Sequence, residues 1–152
     1  MLKKLIASSL LASSLIITGC QTTPPPADTI EMANIQQLQQ RTWILTQIGN
    51  TEIKTAPNER NIPSLQFSAD NRISGADGCN RIMGSYIVGR DTLTLSQLAT
   101  TRMACTNNST VPQQFQEAVA KVTHYQVFGK TLKLLDRHGN LLLQFGSAIQ
   151  PR

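Results

Sequence analysis

The sequence predicts a mainly β domain, α+β by content, folded as a small antiparallel barrel-like sheet with one inserted amphipathic helix. Three observations carry this. Roughly seven to nine short segments are rich in β-branched, aromatic or alternating apolar residues, each bounded by Gly, Asn, Asp or Pro. Their connections are short, which favours antiparallel neighbours and a curled sheet. A single clear segment, 111–122, switches to helical periodicity. Of the 152 residues, 40% are hydrophobic and 15% charged, a balance that supports a packed core rather than a disordered chain.

The chain opens with Met1-Leu2-Lys3-Lys4, then an uncharged apolar and small-residue stretch from Leu5 to Ile17, then Thr18-Gly19-Cys20. Positive start, apolar core and small-residue cleavage site are the layout of a secretory leader. The apolar run is about 13 residues, too short to span a bilayer. Ile17-Thr18-Gly19-Cys20 resembles the bacterial lipobox. That resemblance implies a signal peptide over 1–19, diacylglycerol on the Cys20 sulfur and acylation of the new amino terminus. One acyl chain holds a protein only marginally, whereas the three of a bacterial lipoprotein fasten it without a protein span. Gln21 is not acidic, which by the same resemblance directs the protein to the outer membrane. Residues 20–33 form the tether. Pro24, Pro25 and Pro26 lack donors and have fixed φ, so Gln21 to Asp28 favours an extended spacer reaching about 25 Å.

The domain is expected over 34–148. Thr29 to Gln40 has weak helical character and leads into the fold. Thr42 to Ile48, with the chain's one Trp, reads as a strand before the Gly49-Asn50 turn. Glu52 to Thr55 pairs back, and Ala56 to Pro63 is a loop. Ser64 to Ser68 places Leu65 and Phe67 on one face, Asp70-Asn71 turns the chain, and Arg72 to Gly75 resumes it. Ile82 to Val88 and Thr92 to Leu95 form a hairpin about Gly89-Arg90-Asp91. In Val111 to Val122, Phe115, Ala118, Val119 and Val122 share one helical face, with Thr110 as N-cap and Gln113 completing a capping box. Tyr125 to Phe128, Leu132 to Leu135 and Leu141 to Phe145 are the last strands, separated by Gly129-Lys130 and the polar turn Asp136 to Asn140.

Charge excludes one class of partner. The net charge is +5, and without Lys3 and Lys4 it is 12 basic against 9 acidic residues, or +3. The cations are scattered, so nucleic acid is not an expected partner. Cys79 and Cys105 remain once Cys20 is lipidated. Three readings compete for them. In an oxidising compartment an even pair forms a disulfide, closing a 27-residue loop worth about 3.5 kcal/mol. A redox pair and a metal site with His124 or His138 are the alternatives, and both ordinarily use closely spaced cysteines that are missing here. His124 is read as ending the helix, and His138 lies in a turn. No nucleophile elbow, zincin or P-loop motif occurs. No cofactor, metal or catalytic residue is expected.

From Gly75-Ala76-Asp77-Gly78-Cys79-Asn80-Arg81-Ile82-Met83-Gly84-Ser85-Tyr86 the sequence resembles the META domain, the HslJ-like heat-shock family. The family shows a Gly-Cys-Asn centre followed by Gly-x-Tyr. Leu98-Ala99-Thr100-Thr101-Arg102-Met103-Ala104-Cys105 matches a second block. Trp43-x-Leu45 and Leu132-x-Leu134 are looser matches, and Ile82 stands where an aromatic is expected. The resemblance covers about Gln39 to Phe145. It implies a β-rich barrel-like fold with a helical insertion, association with stress response, drug tolerance or motility, and no enzyme activity. Asp77, Asn80, Arg81 and Arg102 fall beside the cysteine pair. They read either as a salt-bridged corner or as a recognition patch.

The function expected is that of a monomeric, non-enzymatic envelope lipoprotein, bound to the outer membrane facing the periplasm through its N-terminal lipid. It would support envelope integrity or stress and drug tolerance by binding an unidentified envelope protein or component. The alternative is a barrel whose interior holds a small apolar ligand.

Overall fold

Alternation of apolar and polar residues builds most of this molecule, because each strand turns every second side chain to one side. A computed structural model describes residue 19 and residues 22–39, 41–55, 60–105 and 109–148. The expected signal peptide and Cys20 therefore lie outside the described residues, apart from Gly19. The elements are α1 (Ala27–Gln39), β1 (Thr42–Ile48), β2 (Thr51–Glu52), β3 (Ser64–Phe67), β4 (Arg72–Ala76), β5 (Arg81–Val88), β6 (Leu93–Thr100), α2 (Val111–Val119), β7 (His124–Phe128), β8 (Thr131–Leu135) and β9 (Leu141–Ser147).

The strands form one antiparallel sheet in the order β6-β5-β4-β3-β1-β9-β8-β7, with β2 paired to β1. Two meanders, β3 to β6 and β7 to β9, are thus sewn together along β1. The two ends of this path meet. Leu93 N–H donates to Thr123 O at 3.0 Å and Tyr125 N–H to Asp91 O at 2.9 Å, around a Thr92–His124 bridge. The sheet therefore curls into a half-barrel whose edges touch at one point, the mainly β fold the sequence predicted.

Inside the curl sit Trp43, Leu45, Leu65, Phe67, Ile73, Tyr86, Leu93, Leu132, Leu134, Leu143 and Phe145, all buried. Each such side chain contributes about 1.5–3 kcal/mol by leaving water. Phe67 meets Tyr86 edge-on at 5.1 Å and Phe115 meets Phe145 at 6.2 Å, spacings that favour T-shaped pairs. α1 contacts β3 and β7, strands far apart in the sheet order, so it lies across a mouth of the curl. Trp43 Nε1–H donates to Leu38 O at 2.9 Å and fixes the helix end to β1. α2 packs its Phe115, Ala118 and Val119 face on β9 and β1.

Three local expectations need correction. α1 begins at Ala27, inside the segment read as tether, so helix replaces extended chain from there. The Thr110 hydroxyl makes no cap bond: its backbone is already helical (φ −86°, ψ −5°), which aims the side chain away from the first amides. Ser109 Oγ instead accepts from Val111 N–H at 3.2 Å, and Gln113 turns down the helix to Glu117 Oε1 at 2.9 Å. Finally, α2 ends at Val119, and His124 is the first residue of β7, paired with Leu135. Val122 keeps its buried position, but in the turn that carries the chain into the sheet. No helix among the described residues is long and apolar enough to cross a membrane.

Candidate functional site

The β4–β5 turn, Asp77-Gly78-Cys79-Asn80, is where the sequence concentrates its unusual residues. A short carboxylate two residues before a backbone N–H can fold back upon it. Asp77 does so: Oδ1 accepts from the N–H groups of Cys79 (2.9 Å) and Asn80 (2.7 Å), while its own N–H donates to Asn80 O at 3.0 Å. Gly78 carries φ +104°, open to glycine at no steric cost, and a Cβ there would press Pro63 at 3.3 Å. Oδ2 of Asp77 accepts from Gln116 Nε2 at 2.5 Å, joining the turn to α2.

Residues 101–105 are stitched to the same turn. Met103 N–H donates to Asn80 Oδ1 at 2.7 Å; Arg81 N–H donates to Thr101 Oγ1 and Thr101 N–H to Arg81 O, both at 3.0 Å. Asn61 Nδ2 donates to Cys79 O at 2.6 Å. Cys79 and Cys105 form a disulfide, their Cα atoms 5.7 Å apart, within the usual range. Neither thiol is then free to ligate metal or exchange electrons as a thiolate, and neither histidine joins them.

All four residues of the expected patch gather at this corner, but they do not share a role. Asp77 is 0% exposed and Asn80 half-buried; both spend their side chains on backbone and Gln116. Arg81 and Arg102 are exposed. The salt-bridged corner does not form: the only ion pair among the described residues is Arg72–Asp70 at 3.6 Å, on the surface. Met83 and Met103 are exposed beside the arginines. A shallow depression of about 480 Å³ adjoins them, lined by Asn61, Ser64, Ser74, Ala76, Arg81 and Met83 among others; Arg81 is its one charge. Sequence reasoning missed Gln116, Thr101 and Asn61.

A second depression of about 330 Å³ holds both histidines, with Asp91, Asp136 and Tyr125. Asp136 is committed to its own turn: the Asn140 side chain, the Asn140 N–H and the His138 N–H donate to it at 2.8–2.9 Å and hold its carboxyl below the usual range. His124 Nδ1 lies 2.9 Å from Thr123 Oγ1, and His138 Nε2 faces Arg137 Nε at 3.1 Å. Tyr125 is pushed up to about 12 by burial first, then by the carboxylates of Glu31 and Asp91. Among the described residues no three His, Cys, Asp or Glu side chains are grouped to hold a metal, and every buried side-chain polar atom has a partner. Among the described residues the half-barrel interior is filled: Trp43, Leu65, Phe67, Leu93, Phe115, Leu132, Leu134, Leu143 and Phe145 have no water-accessible surface, so no ligand-sized space opens beside these side chains.

The sequence matches the family model of the META domain over residues 36–149. No curated protein matches. Three solved structures share the fold. An NMR structure of a protein from Burkholderia xenovorans is 22% identical, covers 98% of this chain and 100% of its own, and superposes with a TM-score of 0.59. A second NMR structure is 23% identical over 73% of this chain and 92% of its own, with a TM-score of 0.57. The crystal structure of a DUF4847 family protein from Bacteroides vulgatus is 20% identical over 75% of this chain and 96% of its own, with a TM-score of 0.54.

Proposed function

The chain belongs to the META-domain family, and on that premise we propose that it is a non-enzymatic lipoprotein of the cell envelope, anchored by lipid on Cys20 at the outer membrane and facing the periplasm. Its domain binds an envelope protein or component and so supports envelope integrity or stress and drug tolerance. One observation carries the binding reading: at the disulfide corner the backbone is fixed by Asp77, Asn80 and the bridge, while Arg81, Arg102, Met83 and Met103 are left open. A rigid backbone under exposed arginines and apolar side chains lowers the ordering cost of association. The anchor reading rests on Lys3, Lys4, the apolar run and Gly19-Cys20.

The non-enzymatic reading is part of the proposal and draws on how the polar side chains of the site are engaged. Both cysteines are bonded, Asp77 is consumed by three amide donors, and His124 meets only the hydroxyl of its neighbour Thr123, with no carboxylate among the described residues hydrogen-bonded to its ring. The apolar-ligand reading asks for an open interior, and the packed core opposes it. Two experiments test the proposal. Cys20→Ala should move the protein from the membrane to the soluble envelope fraction; unchanged membrane retention would refute the anchor. Arg81→Glu/Arg102→Glu, at equal abundance, should reduce stress or drug tolerance as deletion does; wild-type tolerance would refute the corner as the binding surface.

A further inference from the structure

Methionine is among the residue types most often buried. Here every methionine of the described chain lies open: Met32, Met83 and Met103 are 62%, 61% and 53% exposed, and none joins the core. Among the described residues the other readily oxidised side chains are placed the opposite way. Trp43, Tyr86 and Tyr125, the full complement of Trp and Tyr, are 0%, 1% and 2% exposed. Cys79 and Cys105 are closed in the disulfide.

We infer that Met32, Met83 and Met103 are oxidation sites that take up hypohalous acids, hypochlorous acid above all, ahead of the fold. The step balances simply. The thioether sulfur gives up two electrons and gains the oxygen of hypochlorous acid, becoming a sulfoxide. The chlorine takes the two electrons and leaves as chloride, and one proton is released. Reaction follows exposure, and sulfoxides are returned to thioethers by methionine sulfoxide reductases.

Geometry decides why the fold should survive. A sulfoxide is polar, and in a core it disrupts packing. These three sulfoxides would face water: Met32 on α1, Met83 on the outer face of β5 opposite Ala99, and Met103 in the stitched segment. Met103 holds the corner by its backbone N–H, which oxidation of sulfur leaves unchanged. The core side chains that would lose packing on oxidation are the ones water does not reach. This chemistry holds wherever the protein resides, and the envelope address proposed above would bring it into contact with oxidants from outside the cell.

The test is a titration of the full chain carrying Cys20→Ala, purified without reductant, with up to three equivalents of hypochlorous acid, one for each of Met32, Met83 and Met103, followed by peptide mass spectrometry with Met1 scored apart, and a thermal melt. The expected result is oxygen on Met32, Met83 and Met103, intact Trp43, Tyr86 and Tyr125, and a melting temperature moved by no more than about 3 °C. Methionine sulfoxide reductase should restore the original mass. Oxidised Trp43 or chlorinated tyrosine at the same dose, or a melt lowered by more than about 10 °C, would overturn the inference. The variant Met32→Leu/Met83→Leu/Met103→Leu should keep the melt and consume hypochlorous acid several-fold more slowly. Undiminished consumption would show that other groups are the sink.

Discussion

Replacing Asp77 by alanine strikes the corner at its centre. The carboxylate is fully buried and accepts from Cys79 N–H, Asn80 N–H and Gln116 Nε2 at 2.9, 2.7 and 2.5 Å. Hydrogen bonds to a charged group contribute roughly 1.5–3 kcal/mol each, and three donors left buried without partners oppose folding. Relief of the buried charge offsets part of this, because desolvating an ion costs several kcal/mol. The net expected loss is about 3 kcal/mol. Asp77→Asn separates shape from charge. Its carbonyl still serves the two backbone donors, and its amide can face Gln116 once that side chain turns its oxygen inward, so the expected loss is about 1 kcal/mol. The assay is urea unfolding of the oxidised protein, read by the fluorescence of Trp43, the only Trp and fully buried. A loss below about 1 kcal/mol for Asp77→Ala, or equal losses for the two variants, would refute the assignment of Asp77 as the tie between turn and helix.

Three further outcomes follow from the same structure. Cys79→Ala/Cys105→Ala should lower stability by about 3.5 kcal/mol, less where the unfolded chain keeps structure, with denaturant titration as the measure; the bridged residues are 26 apart in sequence. A Cβ on Gly75 would sit 2.0 Å from Ser64 O, whereas one on Gly146 would make ordinary contact at 3.6 Å. Gly75→Ala should therefore cost about 3 kcal/mol or more and Gly146→Ala under about 1, compared by thermal melts. Tyr125, raised to about 12 by burial and then by Glu31 and Asp91, donates to Gly89 O at 3.0 Å. The fold favours its neutral form, so this stability is complete below about pH 10, where an unfolded tyrosine titrates, and is lost as pH climbs toward 12. Urea midpoints should fall across that window, and Tyr125→Phe should flatten the fall.

Strands that declare themselves by local alternation were legible. Thr42 to Ile48 runs as read, and the hairpin about Gly89-Arg90-Asp91 and the turn at Gly129-Lys130 stand where expected. β6 was cut short at Leu95 because Ser96 to Thr100 carries no alternation of its own. It is strand because β5 offers partners from Ser85 back to Ile82, past a bulge in β6 where Gln97 and Leu98 oppose Gly84. Cap and helix end escape local pattern for a related reason: both depend on where the chain must go next, and α2 has to deliver Thr123 to Leu135 O. At the corner, residue types leave three readings of the cysteines open, and Arg102 comes near Asp77 and Asn80 because Cys79 and Cys105 are joined. The split between buried Asp77 and exposed Arg81 does not follow from residue types either, because Gln116, 39 residues away, supplies the donor that lets a carboxylate stay inside.

The central claim, that the disulfide corner is the surface this protein offers to its partner, is tested most directly by photo-crosslinking in intact cells. A photoreactive residue at position 83 or 102 should capture one reproducible envelope protein or component. The same residue at position 133, exposed across the sheet on β8, should capture little of it. Equal capture from position 133, or none from the corner in cells where deletion of the protein lowers stress tolerance, would contradict the account.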